Sequence, residues 1–222
     1  MHTSEAGVGE LSLIDAVDLH VPGIELQPVT LALGAGDRIG LLGAQGSGKG
    51  ALLRALARLE RPAGGHLFWN GVDVTRRPRW LMPGWLKTQV MLIWANPYFL
   101  FEDRFRVRAV VRGAQGDGRP SAAALLKKAR LSSATLEHKI ASLSGLQRAR
   151  VALAYAQWRK PRVILVDDLF GHLVPESWDG FMADLGQIAG QTRAVLVASR
   201  FPEALRSMSR TYALRNGEIF KR

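Results

Sequence analysis

Nine consecutive residues carry the pattern of a loop that binds phosphate groups. They are Gly43, Ala44, Gln45, Gly46, Ser47, Gly48, Lys49, Gly50 and Ala51. Glycines in such a loop let consecutive backbone N–H groups point into one concavity, and the lysine reaches the terminal phosphates of a nucleotide. The residue after the lysine is usually Ser or Thr, whose hydroxyl holds Mg²⁺. Here glycine and alanine follow the lysine, so the pattern predicts phosphate binding without that hydroxyl.

A pair of carboxylates forms the second candidate part of the site. The apolar run 163–166 precedes Asp167 and Asp168, and α/β sheets place their ligands at the carboxyl ends of such strands. Asp167 is predicted to hold Mg²⁺, directly or through water, and Asp168 to face the water that attacks the terminal phosphate. Alone, the segment is equally compatible with a buried strand that ends in an acidic turn. Behind a phosphate loop, the nucleotide interpretation is favoured.

A third motif, Ser144, Gly145, Leu146 and Gln147, lies between the other two and begins a predicted helix. By itself, Ser144 is also explained as a simple helix N-cap. Taken with the phosphate loop and the acidic pair, in this order and at this spacing, the motif resembles the signature sequence of ATP-binding cassette (ABC) proteins. The resemblance covers roughly residues 10–222.

The resemblance implies an α/β fold of the ABC ATPase type. It implies a P-loop NTPase core, with a mixed sheet flanked by helices, together with an antiparallel β part and a helical subdomain at about residues 96–150. All of these would belong to one domain, residues 1–222. ATP and Mg²⁺ are the implied ligands.

The resemblance also implies partners. In this family two nucleotide-binding domains pack head to tail, and each ATP lies between the phosphate loop of one and the signature of the other. The signature of this chain, starting at Ser144, would therefore contact the ATP of a second nucleotide-binding subunit. Transmembrane permease subunits are the other implied partners, and residues of about 95–112, with Tyr98, Phe101 and Phe105, would receive them.

Departures from the family pattern concentrate around the chain's own phosphate loop. Gly50 lacks the metal-binding hydroxyl, Ala95 stands where a coupling glutamine is expected, and Asp168 replaces a longer glutamate. Ser199 is assigned to the position of the switch histidine, and His20 to that of the aromatic residue that stacks on adenine. Binding uses groups that are retained, whereas hydrolysis needs a positioned base that contributes about 10²- to 10⁴-fold. We therefore expect ATP binding with slow or absent hydrolysis at this site.

The signature departs from the family at one position, Leu146, where glycine is usual and where leucine would crowd a close approach. The contrast with the phosphate loop favours a heterodimer, in which this chain completes the working site of a more conventional relative. Two alternatives stay open at this point. One is an active homodimer, and the other is a non-transport ABC pseudo-ATPase scaffold that acts on nucleic acid or on a protein complex.

Hydrophobic patterning predicts the elements that position these motifs. Strands are expected at residues 11–16, 29–33, 38–42, 90–94, 162–167 and 193–198. Hairpins are expected around Asn70-Gly71 and Asn216-Gly217, since both residues of such tight turns need positive φ. Helices are expected at about 51–60, at 125–131 after an N-cap at Ser121, and at 146–159.

Composition restricts the remaining function classes. The 222 residues include no cysteine, which excludes disulfides and thiolate metal sites, and they carry a formal charge of +11. That charge suits nucleic acid, an anionic membrane surface or a polyanion such as ATP. The basic and aromatic stretch 76–87 is interpreted as a solvated loop, and no nucleic acid is expected. With neither a secretion signal nor a membrane span expected, we predict a cytoplasmic protein. The resemblance to ABC transporter subunits implies that it is peripheral on the inner face of the cytoplasmic membrane.

Overall fold

The computed structural model describes residues 13–23, 26–112 and 120–221, and within them ten strands form two sheets. The strands are β1 (Ile14–His20), β2 (Val29–Leu33), β3 (Arg38–Gly43), β4 (Gly64–Trp69), β5 (Val72–Asp73), β6 (Val90–Ile93), β7 (Val163–Asp167), β8 (Ala194–Ser199), β9 (Arg210–Arg215) and β10 (Glu218–Lys221). The α-helices are α1 (Lys49–Leu56), α2 (Gly84–Lys87), α3 (Val107–Val110), α4 (Ala122–Lys128), α5 (Gly145–Arg159) and α6 (Trp178–Ala189).

The smaller sheet is antiparallel, with the strand order β2-β1-β4-β5. Its β4–β5 hairpin turns at Asn70 and Gly71, whose φ values of 49° and 74° are both positive. This confirms the predicted turn. Strand β1 extends beyond the predicted end at residue 16, since a bulge after Val17 lets pairing resume at His20. Residues 11 and 12 of the predicted strand lie outside the described residues.

The larger sheet has the strand order β10-β9-β3-β8-β7-β6. All neighbouring pairs are parallel except β9 and β10, which form the second predicted hairpin at Asn216-Gly217. Strand β8 pairs with both β3 and β7. The carboxyl ends of these three strands therefore meet at one edge, which carries Gly43, Asp167 and Ser199.

Both faces of the larger sheet are buried. On β7, Val163 and Leu165 join a core with α1 and the antiparallel sheet, whereas Ile164 and Val166 join a second core with α5 and α6. Apolar residues at successive positions, rather than alternating ones, are the pattern expected of a parallel strand covered on both sides. The mixed sheet with helices on it confirms the predicted α/β core.

Most helices begin where their caps predict. Ser121 accepts a hydrogen bond from the N–H of Ala124 at 3.2 Å and begins α4, and α5 matches its predicted range to within one residue. Helix α1 is shorter than predicted and ends at Leu56. The chain turns at Arg58, which has a φ of 54° and whose buried guanidinium donates to the carbonyls of Val74 and Arg77. Those bonds fix the turn and leave no room for a further helical turn.

The described part of residues 96–150 contains α3, α4, single 3₁₀ turns and the first turn of α5. This helical character agrees with the predicted subdomain, while the domain boundaries stay a prediction. Among the residues described, none of the helices combines the length and the apolar composition needed to cross a membrane.

Candidate nucleotide-binding site

The phosphate loop connects β3 to α1 and curls back on itself. Gly46 and Gly48 have φ values of 78° and 100°, in the left-handed region that favours glycine. Gly48 is the N-cap of α1 and offers no side chain to bond the first N–H groups of the helix. Those donors and the positive end of the helix dipole are therefore available to an anion.

Lys49 is the first residue of α1 and its side chain is buried under the loop. Its ammonium donates to the carbonyl oxygens of Gly43 at 2.8 Å and Ala44 at 2.7 Å. Burial lowers the pKa of Lys49 from its ordinary value, and the carboxylates of Asp168 and Asp167 oppose that shift. The structure thus brings the lysine and both predicted carboxylates to one edge of the sheet.

Gly50 lies directly against Asp167. A Cβ placed on Gly50 would be 2.8 Å from Oδ2 of Asp167 and 3.1 Å from Nη1 of Arg54. Arg54 is one turn further along α1 and therefore lies on the same face as Gly50. Burial raises the pKa of Asp167, and the positive charge of Arg54 is the largest effect that opposes the shift. The space of the usual hydroxyl side chain is thus enclosed by a carboxylate and a guanidinium.

Asp168 is engaged by Arg200, which follows β8. The Arg200 N–H donates to Oδ1 of Asp168 at 3.1 Å, and Nε of Arg200 lies 3.9 Å from Oδ2. The same guanidinium donates to Oε1 of Gln45 in the phosphate loop at 2.6 Å. A Cβ on Gly171 would overlap the guanidinium, so the glycine there makes room for it. Arg200 therefore bridges the predicted base and the phosphate loop.

The assignment of the switch position to Ser199 stays a prediction. The hydroxyl of Ser199 is fully buried at the end of β8, where it accepts a hydrogen bond from the N–H of Phe201 at 2.9 Å. Arg200, the next residue, is the one that reaches the site. Arg200 was not predicted because the strand was expected to end one residue earlier, and Arg54 was not predicted because an apolar stripe gives no information on the polar side chains of a helix. The spacing of four residues between Gly50 and Arg54 was the available signal.

Two other predicted positions lie on β1 and just after β6. His20 ends β1 with an exposed imidazole, whose Cδ2 would be 3.0 Å from a Cβ on Gly64. Ala95 is half-buried two residues after β6. The roles of His20 in adenine stacking and of Ala95 in coupling stay predictions.

The signature forms the start of α5, well ordered by its own side chains. Oγ of Ser144 accepts from the N–H of Gln147 at 3.3 Å, and Oε1 of Gln147 accepts from the N–H of Ser144 at 2.9 Å. This reciprocal capping box fixes the first turn. Gly145 packs close to its neighbours, since a Cβ there would be 3.3 Å from the carbonyl oxygen of His172. Ser144 itself is exposed at this helix start.

Charged side chains anchor the signature helix from behind. The buried guanidinium of Arg148 donates to Oδ1 of Asp103 at 2.6 Å and lies 4.5 Å from the ring centroid of Tyr98. Further along α5, Nε of Arg150 is 3.8 Å from the buried carboxylate of Asp184, which also pairs with Arg130 at 2.7 Å. These contacts link α5 to the segment after β6 and to α6.

The edge fits the phosphates of a nucleotide, but it does not fit Mg²⁺ held in the family manner. The loop contains one hydroxyl residue, Ser47, and its buried Oγ points toward Gly43 and finds no hydrogen-bond partner among the described residues. On the side of Asp167 where a hydroxyl ligand would stand, Arg54 is present instead. The assignment of Asp167 as a Mg²⁺ ligand stays an untested prediction that this geometry does not favour.

A parallel sheet that carries a phosphate loop, an acidic strand end and an exposed capped helix start defines a P-loop nucleotide-binding protein of the cassette type. Comparison with known proteins agrees, and the chain belongs to the ABC transporter family, whose family model matches residues 26–171. The chain is 29% identical over 204 residues to the lipoprotein-releasing system ATP-binding protein LolD of Idiomarina loihiensis, with 88% of each chain covered.

A second relative is longer than this chain. The macrolide export ATP-binding/permease protein MacB of Brucella melitensis is 31% identical over 204 residues, which are 87% of this chain and 31% of that protein. The chain thus spans about a third of the length of this relative. Among solved structures, the dimeric ATP-binding cassette MJ0796 in a post-hydrolysis state with ADP and Pi matches with a TM-score of 0.74. That match covers 94% of this chain and 97% of the other at 22% identity, and it confirms the fold.

Proposed function

We propose that this chain is a nucleotide-binding subunit of an ABC transporter that holds ATP in its own site with little hydrolysis and donates its signature to a second, catalytic nucleotide-binding subunit. The observation that carries the proposal is the engagement of Asp168, which stands where the family uses a glutamate, by Arg200, the neighbour of the predicted switch position Ser199. The chain would work at the inner face of the cytoplasmic membrane with transmembrane permease subunits, and ATP binding and hydrolysis in the complex would drive transport.

Retention of ATP is supported by the geometry of the phosphate loop. The loop supplies glycine-rich backbone, an uncapped helix start and Lys49, and these groups need no catalytic side chain to bind phosphate. Arg200 adds a positive charge where it already contacts Gln45 of the loop at 2.6 Å. A triphosphate therefore meets a concave, positively charged surface.

Slow hydrolysis follows from the state of the predicted base. A general base must lie within hydrogen-bond reach of the attacking water. One oxygen of Asp168 accepts from the backbone of Arg200, and the other faces its guanidinium. Both oxygens of Asp168 thus face Arg200 rather than a water molecule, and the side chain is also one methylene shorter than the family's glutamate.

Donation of the signature is supported by the intact start of α5. An exposed serine at a helix N-terminus, held by a capping box, can present its hydroxyl and the helix dipole to a phosphate on another chain. The buried anchors of Arg148 and Asp184 keep that helix start in place when a partner approaches. The contrast with the altered phosphate loop supports a heterodimer over an active homodimer.

Contact with a permease is supported by an open apolar groove beside the signature helix. Its lining includes Leu100, Phe101, Phe105, Tyr155 and Trp158. Phe105 is 40% exposed and Tyr98, nearby in sequence, is 50% exposed. An exposed groove with several aromatic residues suits a short helix from another protein.

The test compares the isolated chain with the assembled complex. The chain is co-purified with the products of neighbouring genes, and phosphate release is measured for the chain alone and for the complex. We expect the chain alone to bind ATP but to release phosphate no faster than buffer without protein. The complex should hydrolyse ATP. Fast turnover by the pure chain would overturn the proposal, as would the absence of any membrane partner.

A further inference from the structure

We propose that this chain binds ATP as the free, metal-free triphosphate, because Arg54 supplies beside Asp167 the positive charge that Mg²⁺ supplies in other P-loop proteins. The inference rests on the proposed function, since it assumes that a nucleotide occupies the phosphate loop. It adds the chemical form of the ligand and assigns a role to Arg54.

The guanidinium of Arg54 lies close to the backbone of Gly50. The point where a side chain at residue 50 would begin lies 3.1 Å from Nη1 of Arg54 and 2.8 Å from Oδ2 of Asp167. In P-loop proteins, the hydroxyl that extends from this point is a ligand of the metal. The guanidinium and the carboxylate therefore face each other across the place that the hydroxyl and its metal ion would share.

Arg54 is held in this position by the turn that ends α1. Its Nε lies 2.5 Å from Oε1 of Glu60, and the N–H groups of Leu59 and Glu60 both donate to its carbonyl oxygen. The turn depends on Arg58, whose positive φ brings the chain back toward the helix. With Nε bound to Glu60, the outer nitrogens of the guanidinium are directed toward Gly50. Glu60 is thus a positioning residue for Arg54.

The absence of a side chain at residue 50 leaves space for the guanidinium of Arg54. A serine at residue 50 would bring its Cβ within 2.8 Å of Asp167 and 3.1 Å of Arg54, and real Cβ contacts under 3.0 Å essentially require a neighbour to shift. A hydroxyl residue at position 50 therefore needs the carboxylate of Asp167 to shift and the guanidinium of Arg54 to move by a few tenths of an ångström. With glycine at residue 50, both side chains keep their places beside the loop.

The resulting charge pattern suits an uncomplexed triphosphate. Lys49 begins α1, Arg54 lies in its last turn, and Arg200, just after β8, reaches the loop. A guanidinium is charged at all physiological pH values and can donate two parallel hydrogen bonds to a phosphate. Fixed cations around the phosphate loop thus replace a mobile divalent ion, and MgATP would add a further positive charge next to Arg54.

The test measures the affinity of the full purified chain for fluorescent mant-ATP in excess MgCl₂ and in excess EDTA. We expect the dissociation constants in the two buffers to agree within about threefold, or to be lower in EDTA, where a tenfold change corresponds to about 1.4 kcal/mol. A dissociation constant that rises more than about tenfold in EDTA overturns the inference but leaves ATP binding intact. Absence of binding in both buffers overturns the proposed function as well.

Variants assign the effect to Arg54. R54A is expected to weaken binding in EDTA by about 10- to 100-fold, the range for one hydrogen bond to a charged group, and to make binding depend on Mg²⁺. The double variant G50S/R54A, which restores the hydroxyl and removes the clash with the guanidinium, should depend on Mg²⁺ more strongly still. R61A removes an exposed arginine of the same segment and serves as the matched control. If R54A binds as tightly in EDTA as the wild type does, the assignment to Arg54 is wrong.

Discussion

At the phosphate loop, the groups that hold phosphate are present and the groups that would activate water have been replaced, whereas at the signature nearly all of the phosphate-facing residues stand. The loop depends on backbone geometry and on Lys49, whereas Gly50, Asp168 and Ser199 are positions at which the sequence departs from the expected family pattern. The signature depends on a capped helix start at Ser144. We infer from the comparison that phosphate binding, which uses backbone N–H groups, would survive side-chain changes that remove catalysis.

The two regions also differ in how they are supported. The signature helix is anchored from behind by Arg148 on Asp103 and by Arg150 near the buried Asp184. Around the phosphate loop, by contrast, arginines point into the site itself, as Arg200 does toward Gln45. Arginines thus stabilise the signature helix through contacts behind it, whereas at the phosphate loop they lie inside the site.

The largest effect is expected for a substitution in the signature. In the complex, S144R is expected to lower ATP turnover by about 10²- to 10³-fold, the range for losing one donor to a developing negative charge. The substitution removes the hydroxyl and places a long side chain against the partner's γ-phosphate. The measurement is phosphate release by the purified complex. S142R, at an exposed serine whose hydroxyl donates to the carbonyl of Lys139, is the matched control; an unaltered rate in S144R would remove the role of the signature.

The reverse effect is expected at the phosphate loop. K49A should weaken nucleotide binding by the isolated chain by about 10- to 100-fold, because it removes a buried ammonium from the phosphate site. The complex should keep most of its ATP turnover, since its working site uses the partner's lysine. Binding is followed with mant-ATP and turnover by phosphate release. K127A, at an exposed lysine of α4, is the control, and complete loss of turnover in K49A would assign the working site to this chain.

Restoring the expected family residues around the phosphate loop tests which side chains limit hydrolysis by the isolated chain. G50S with D168E is expected to leave turnover by the isolated chain near the rate of the buffer, because the new side chain meets Arg54 and Arg200 still holds the base. Adding R54A, A95Q and R200A should raise phosphate release by roughly tenfold or more, at the low end of what a positioned base contributes. The R54A single variant controls for nonspecific effects. Equal rates in the double and the five-residue variant would mean that the arginines do not suppress hydrolysis.

The smallest effect is expected where the signature itself departs from the family. L146G should raise turnover by the complex less than about tenfold, because it relieves crowding at the partner's phosphate. It should also cost about 1 kcal/mol of helix stability. Leu146 is half-buried against the second core, so the melting temperature should fall by a few degrees, about 2–4 °C. L146A separates the two effects, and a lower rate in both variants would show that the leucine contributes to the interface.

The sequence predicted the fold and the main-chain part of the site because both depend on local patterns. Apolar runs at successive positions identified β3, β7 and β8, and Asn-Gly pairs located both hairpins. The acid pair and the phosphate loop were expected at one edge because parallel strands end together there.

The two arginines of the site could not be obtained in the same way. Arg54 matters because a turn at Arg58 and a bond to Glu60 aim it at Gly50, and Arg200 matters because β8 extends one residue beyond its predicted end. In both cases the direction of a long side chain is set by contacts distant in sequence or by a shift of one residue. Apolar periodicity carries no information on the direction of either arginine. The position of Ser144, by contrast, could be predicted from the sequence alone, because a helix N-cap is a local pattern.

The order of strands in the larger sheet has a consequence for how the nucleotide site forms. Strand β3, which carries the phosphate loop, has β8 on one side and β9 on the other, and both follow it by more than a hundred residues in the chain. Contacts of such long range close late and slow folding. During synthesis, the loop would therefore leave the ribosome as an unsupported segment and take its binding shape only after β9 has emerged. A nascent chain arrested before that point should be unable to retain ATP, however complete its glycine-rich motif.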